Sequence, residues 1–242
     1  MPNDNQSDFA TTAWPQVMEA GQNDTVSAKA GMEYLYRVYK RPIHSFLCRK
    51  YHCNEHEAED LTQGFFEHLI KMATVRSADR EKGKFRNFLL GALKNFRANE
   101  RDRDRAIKRG GKYQITSLDE TEAPQVGALD PPVPLLADKD FNRDWALALV
   151  QQAREQLAQK YITEEKALLF ATMEPALFRV NVKDLYAQWA ASLAMSQEAV
   201  EVAFHRLRRR FGEALRLEVA QTVADPADVK EELTHLLAAM AD

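Results

Sequence analysis

Apolar residues recur every three or four positions through most of this chain, and this spacing constrains the fold more than any other feature of the sequence. Such a period places apolar side chains on one face of an α-helix, whereas a half-buried strand alternates every second residue. Gly and Pro number only 9 each among 242 residues, which disfavours turn-dense β folds and Gly-rich nucleotide-binding folds. We therefore predict an all-α fold of two small helical domains joined by a flexible, proline-containing linker.

The first half of the chain carries the clearest helical signals. Asn54 followed by Glu57 resembles a capping box and predicts that a helix begins there. The predicted buried face of this helix consists of Ala58, Leu61, Phe65, Phe66, Leu69 and Ile70. Another helix begins near residue 84, with an apolar stripe that starts at Phe85.

Residues 113–138 differ in composition from the rest of the chain, because they contain four prolines and no sustained helical period. We interpret this segment as the linker between the two domains. Residues 1–25 are polar and are expected to form a flexible arm. The first domain then spans residues 26–112 and the second spans residues 139–217, followed by an acidic helical extension over residues 218–242.

Charge is distributed unevenly, although the formal net charge is only -3 at pH 7. Thirteen Lys and Arg stand against five acids in residues 76–112, a local balance of +8. A second basic block, HRLRRRF, occupies residues 205–211, whereas the extension over residues 218–242 has six acids and one Lys. Such segregation is typical of a surface that binds a polyanion, and we expect the acidic extension to cover the basic block in the free protein.

Two parts of the chain have the character of nucleic-acid-binding helices. On the helix that follows residue 84, basic side chains spaced by three or four residues form a row that can hold phosphates. This row consists of Lys94, Arg97, Arg101, Arg105 and Lys108. Around Trp189 and Ser196, two helices joined by a short turn have helix-turn-helix geometry, which directs the outer face of the second helix at the major groove.

Three segments in order resemble an RNA polymerase sigma factor of the extracytoplasmic-function class: HEAEDLTQGFFEHLIK, KGKFRNFLLGALKNFRANERDRDRAIKRGG and the helical pair just described. The resemblance covers about residues 32–112 and 141–215. It implies a factor that binds core RNA polymerase, recognises and melts promoter DNA, and has neither enzyme activity nor a cofactor or metal of its own. The implied partners are the β′ clamp helices of the polymerase, promoter DNA and an anti-sigma factor.

The resemblance also assigns roles by position. It implies polymerase contacts at Glu59, Asp60 and Gln63. It implies contacts to the minus-ten promoter element at Asn87, Lys94, Asn95, Arg97 and Arg101, with residues 73–84 as a pocket for an unstacked base. It implies contacts to the minus-thirty-five element at Gln197, Glu201, His205, Arg206 and Arg209.

The sequence departs from the family pattern at two informative positions. Gly64 stands where the family usually has an acid, so one polymerase contact is expected to be weaker. Ala194 replaces the usual glycine of the turn in the helical pair. The turn therefore either avoids a left-handed residue or is slightly strained.

Two alternatives remain open at this point. The helical pair alone is compatible with a stand-alone helix-turn-helix regulator of transcription. His44, Cys48 and His52 are spaced by four residues, which is compatible with a metal or redox sensor. An enzyme is disfavoured, because no Gly-rich phosphate loop or paired acid site is evident. The chain has neither a signal peptide nor an apolar stretch of about 18 residues, so we expect a cytoplasmic protein without membrane partners.

Overall fold

The computed structural model describes residues 26–71, 85–108, 139–223 and 225–241. Within these ranges the α-helices are α1 Val26–Tyr51, α2 Glu55–Lys71, α3 Phe85–Lys108, α4 Lys139–Thr163, α5 Ala167–Met173, α6 Tyr186–Leu193, α7 Gln197–Ala220 and α8 Val229–Ala241. Short 3-10 helices occur at Glu174–Ala176, Lys183–Leu185 and Pro226–Asp228. The described residues contain no strand, so the predicted all-α class is confirmed. None of the described helices is long and apolar enough to cross a membrane.

Capping residues fix where several helices begin. The Asn54 side-chain oxygen accepts the backbone N–H of Glu57 at 2.9 Å, directly before α2. Ser196 caps α7 in the same way at 3.2 Å, and Asp225 caps the short turn before α8 at 2.8 Å. Each cap satisfies an N–H that the first helical turn leaves without a helical partner. The start expected from sequence at Asn54 is therefore confirmed.

The first three helices pack through aromatic side chains. Phe65 of α2 is fully buried, and its ring centroid lies 5.6 Å from that of Phe96 on α3. Phe66 is also buried and meets Tyr36 of α1 edge-on at 4.9 Å. Ile70 was expected on this buried face but is 61% exposed. The buried stripe of α2 passes through Phe65, Phe66 and Leu69, and a helical period places Ile70 at its edge.

Helix α4 lies at the centre of the structure, because it packs against α1, α5, α7 and α8. Its buried residues are Phe141, Trp145, Ala146, Leu149, Val150, Ala153, Leu157 and Tyr161. Phe46 of α1 meets Phe141 edge-on at 6.0 Å, and Arg49 Nη2 of α1 lies 2.7 Å from Asp144 Oδ2 of α4. Helices from before and after residues 113–138 therefore contribute to one hydrophobic core.

The predicted arm, residues 1–25, and the predicted linker, residues 113–138, lie outside the described residues. The division into two domains therefore stays a prediction. The structure adds that the segments assigned to the two domains contact each other directly through α1 and α4.

Candidate nucleic-acid interface

Helices α6 and α7 form a hairpin with a turn of three residues, 194–196. Ala194 adopts a left-handed conformation, with φ 50° and ψ 45°. The following N–H, that of Met195, donates to the carbonyl oxygen of Ala190 at 3.0 Å and so ends α6. A left-handed residue with a Cβ is strained, whereas glycine is not. Of the two expectations for this turn, the strained conformation is the one observed.

Packing between α6 and α7 determines which face of α7 is exposed. Trp189 of α6 and Phe204 of α7 are both buried, with ring centroids 5.1 Å apart. Val200, Leu207 and Phe211 continue the buried stripe of α7, as predicted. The five residues predicted to contact the minus-thirty-five element are all exposed: Gln197, Glu201, His205, Arg206 and Arg209.

The exposed face of α7 combines positive charge with one apolar side chain. Val202 is 48% exposed and lines a surface depression together with His205, Arg206 and Arg209. His205 Nε2 lies 3.9 Å from Glu201 Oε1, with both side chains more than half exposed. An exposed pair of this kind is weak and leaves the side chains able to exchange partners. Chemically, this face can hydrogen-bond base edges and hold phosphates.

The four arginines of the basic block divide into two pairs. Arg210 Nη1 lies 2.9 and 3.1 Å from the carboxylate oxygens of Glu164, at the end of α4. Arg208 donates a hydrogen bond to the backbone oxygen of Arg179. These two arginines attach α7 to the rest of the protein, whereas the other two arginines of the block face solvent. The basic block is therefore partly structural and partly available to a ligand.

The minus-ten candidates on α3 are unequally accessible. Asn95 and Arg101 are exposed, whereas Asn87, Lys94 and Arg97 are partly buried. The side chain of Arg97 is only 16% exposed, and its Nη2 lies 3.4 Å from Glu57 Oε1 at the start of α2. The proposed base pocket at residues 73–84 lies outside the described residues.

The acids of α3 also pair with arginines of the same helix. Arg105 Nη1 lies 3.7 Å from Asp102 Oδ1, one helical turn away. Arg103 Nη1 and Glu100 Oε1 are likewise 3.7 Å apart. Because these side chains are solvated, the pairs reduce the local positive charge without fixing the arginines in place.

The three predicted polymerase contacts lie on α2 and are all exposed: Glu59, Asp60 and Gln63. Glu59 Oε1 lies 2.7 Å from Lys40 Nζ, and this hydrogen bond lowers the pKa of the Glu59 carboxyl. Gln63 donates to Glu67 Oε1 at 3.3 Å. The structure thus brings the three residues together on one acidic, hydrogen-bonding surface.

The possible metal ligands do not converge. His44 Nδ1 and Cys48 Sγ are 3.9 Å apart, but His52 lies beyond the end of α1 with φ 56°. In the part of the chain that the structure describes, no three His, Cys, Asp or Glu side chains are placed to hold a metal ion. The described geometry gives no support to the metal-sensor alternative.

Three charged residues outside the predicted sites prove to be buried, namely Arg86, Glu218 and Glu232. Arg86 of α3 pairs with Glu232 of α8, and its guanidinium lies over the ring of Trp145 at 4.5 Å. Tyr34 of α1 donates to the carboxylate of Glu218 at 2.9 Å. Burial raises the pKa of the Glu218 carboxyl, and the hydrogen bond from Tyr34 opposes that shift.

A sequence signal for two of these residues was available. Arg86 precedes three buried leucines by three, four and seven positions, and Glu232 precedes the buried leucine of α8 by four. Both therefore stand on the apolar face of their helix. A charged residue at such a position predicts a buried partner, but the partner itself is not identified by the pattern.

The acidic extension was expected to cover the basic block of α7. This expectation is wrong, because the extension packs on a different surface. Helix α8 packs against α4 and α7, while the outer face of α7 stays exposed. Two acids of the extension, Glu218 and Glu232, point into the protein because they have buried polar partners there. Through Glu232, the extension instead contacts another basic helix, α3.

Comparison with known proteins found no matching family model and no similar curated protein or solved structure. The resemblance to sigma factors therefore stays a prediction.

The strained turn generates the first prediction. Ala194→Gly should raise the free energy of unfolding by about 1 kcal/mol, because glycine adopts the left-handed conformation without strain. Ala191→Gly, at an exposed position inside α6, is the matched control and should lower stability by about 1 kcal/mol. Denaturant unfolding monitored by circular dichroism measures both. A loss of stability in both variants would contradict a strained Ala194.

The contact between α7 and α4 generates the second prediction. Hydrogen bonds from Arg210 and then Lys166 lower the pKa of Glu164 from 4.5 to about 2. The stabilisation is therefore present above pH 4.5 and is lost as the pH falls towards 2. In an NMR titration of the side-chain carboxyl carbon, Arg210→Gln should raise this pKa, whereas Arg209→Gln should leave it unchanged. Equal titration curves for wild type and Arg210→Gln would refute the contact.

Proposed function

We propose that this protein is a sigma factor that acts in the cytoplasm, binds core RNA polymerase and directs it to promoters, where it takes part in DNA melting and transcription initiation. The observation that carries the proposal is the α6–α7 hairpin, which holds Arg206 and Arg209 on an exposed helix face. It is supported by two further exposed surfaces, on α3 and on α2.

The outer face of α7 has the chemistry needed to read bases in the major groove. Arginine can donate two hydrogen bonds to guanine, glutamine can pair with adenine, and glutamate can accept from cytosine. Gln197, Glu201 and Arg206 are all exposed on α7 and offer these three possibilities at different points along the helix. Because α7 is attached to α4 through Arg210, this face has a fixed orientation when it meets DNA.

Helix α3 has the chemistry needed to hold a DNA backbone. Arg101 is exposed and can bind a phosphate, and Asn95 can hydrogen-bond a base edge or a sugar. Arg97 is paired with Glu57. It can bind a DNA phosphate only if the phosphate replaces the Glu57 carboxylate. We therefore assign the direct backbone contact to Arg101 and a conditional one to Arg97.

The surface of α2 distinguishes a sigma factor from a stand-alone regulator of transcription. A sigma factor needs a surface that binds the polymerase, whereas a repressor or activator of the helix-turn-helix type binds DNA without it. Glu59, Asp60 and Gln63 are exposed side by side and provide such a surface. Their carboxylates suit a basic partner surface.

The role of α2 generates a prediction about polymerase binding. Asp60→Lys should weaken binding of core RNA polymerase about tenfold or more, because it places a positive charge against a basic partner surface. Glu155→Lys, an equal charge change at an exposed position of α4, should bind as wild type does. Titration of fluorescently labelled protein with bacterial core polymerase measures both. Unchanged binding by Asp60→Lys would remove this residue from the interface, and wild-type DNA binding without any core binding would favour a stand-alone regulator.

The role of α7 generates a prediction about DNA. Arg206→Ala should weaken binding to the cognate upstream element by about 1–3 kcal/mol if the arginine reads a base. The cognate promoters are identified first. Core polymerase transcribes genomic DNA with and without the protein, and the starts of the transcripts that appear only with the protein are mapped. Arg143→Ala, an exposed arginine of α4, is the control for a general loss of charge. An equal loss of affinity on cognate and scrambled DNA would mean that Arg206 contacts phosphate alone.

A further inference from the structure

We propose that α8 is an intramolecular latch, which we define as the Arg86–Glu232 pair together with the packing of α8 on α4 and α7. The latch holds a closed form that cannot engage both promoter elements at once. This inference rests on the proposed function. It concerns the C-terminal extension, which lies outside the segments that resemble sigma factors.

The central contact of the latch is a buried ion pair. Arg86 Nη1 of α3 meets Glu232 Oε1 of α8, and the two side chains are only 7% and 5% exposed. The Arg86 guanidinium also lies over the ring of Trp145, at 4.5 Å from its centroid. On the other side, His235 Nδ1 lies 3.5 Å from Glu232 Oε2. A buried charge is costly without a partner, so the Arg86 guanidinium is stable in this position only with an opposite charge such as that of Glu232.

The contact joins three parts of the chain that the sequence assigns to different units. Arg86 belongs to the predicted first domain, Trp145 to the second and Glu232 to the extension. A second polar contact joins the same two groups of helices, because the Tyr34 hydroxyl of α1 lies 2.9 and 3.0 Å from the side-chain and backbone oxygens of Glu218 in the last turn of α7. Glu232 is therefore the contact between the two groups that belongs to α8 itself.

The closed form is too small for the proposed task. The minus-ten and minus-thirty-five elements are centred about 25 base pairs apart, which is about 85 Å along straight B-DNA. A compact protein of this length has a radius of gyration of about 18 Å and so a diameter of about 45 Å. Helices α3 and α7 can therefore contact both elements only after the contacts between the two groups of helices have separated.

The latch also acts at the end of α3 where DNA contacts are proposed. Arg86 directly precedes Asn87, one of the minus-ten candidates, and Asn87 is itself only partly exposed. When α8 is in place, the Glu232 carboxylate neutralises the Arg86 guanidinium. Release of α8 would expose this arginine to a DNA phosphate, which can take the place of the carboxylate.

The test breaks the ion pair and measures the distance between the two groups of helices. Spin labels are attached through Asp102→Cys on α3 and Arg216→Cys on α7, both at exposed positions, after Cys48 and Cys53 are replaced by Ala. Pulsed electron paramagnetic resonance should give one short distance for the otherwise wild-type protein. Glu232→Gln should add a longer distance, with the open-to-closed ratio raised about tenfold or more, because it leaves Arg86 buried without a charged partner.

Two matched variants separate the ion pair from a general defect in folding. Glu155→Gln makes the same chemical change at an exposed position of α4 and should keep the short distance. The double variant Arg86→Met with Glu232→Met replaces both charges by apolar side chains and should also stay closed. Circular dichroism verifies that each variant is helical. Where Glu232→Gln is not helical, Glu232→Asp replaces it, since aspartate keeps the charge but is too short for the contact.

Binding measurements on the same variants test inhibition. Glu232→Gln should bind core polymerase and promoter DNA together about tenfold more tightly, because less of the protein is held in the incompetent form. If Glu232→Gln showed only the short distance between the two spin labels, the latch would be refuted. Longer distances with unchanged affinity would overturn its inhibitory role. If neither the wild type nor any variant bound core polymerase, the proposed function would fail, while the distances would still decide whether α8 closes the protein.

Discussion

The burial of one guanidinium constrains much of the arrangement of helices. Arg86 lies against the fully buried Trp145, in the interior where α3 approaches α4. A charge in that place requires an opposite charge, and Glu232 supplies it from α8. Because α8 also packs on α4 and α7, the position of this pair influences how α7 is held. Arg86, in the first half of the sequence, thereby contributes to the position of a helix in the second half.

Features that depend on neighbours in sequence could be predicted. The apolar periods predicted the helices and most of their buried faces, because a helix brings residues three and four apart together. The caps at Asn54, Ser196 and Asp225 were predictable for the same reason, since each side chain reaches an N–H two or three residues ahead. The outer face of α7 also followed from the period, since the buried stripe that ends at Phe211 leaves the other side to solvent.

Features that depend on distant partners could not be predicted. The sequence HRLRRRF does not distinguish Arg210 from Arg209, because the difference is made by Glu164, which lies 46 residues away from Arg210. Arg97 fits the basic row of α3 by spacing, but Glu57 and the ring of Tyr51 lie beside it and its side chain is only 16% exposed. The destination of the acidic extension was misjudged for a similar reason. The charge balance suggested that the extension covers the basic block of α7, whereas the buried partners of Glu232 and Glu218 decide where these acids lie.

A buried ion pair suits a contact that must open. Replacing such a pair by apolar residues is often neutral or stabilising by about 1–4 kcal/mol, so the pair adds little net stability to the closed form. Removing one partner alone costs about 3–5 kcal/mol, so the closed form tolerates no uncharged substitute for Glu232 while Arg86 is present. On opening, both side chains regain water and Arg86 becomes available to a phosphate. The same pair can therefore make the closed arrangement specific and still be displaced by a polyanion. An apolar contact of equal area could not be displaced in this way.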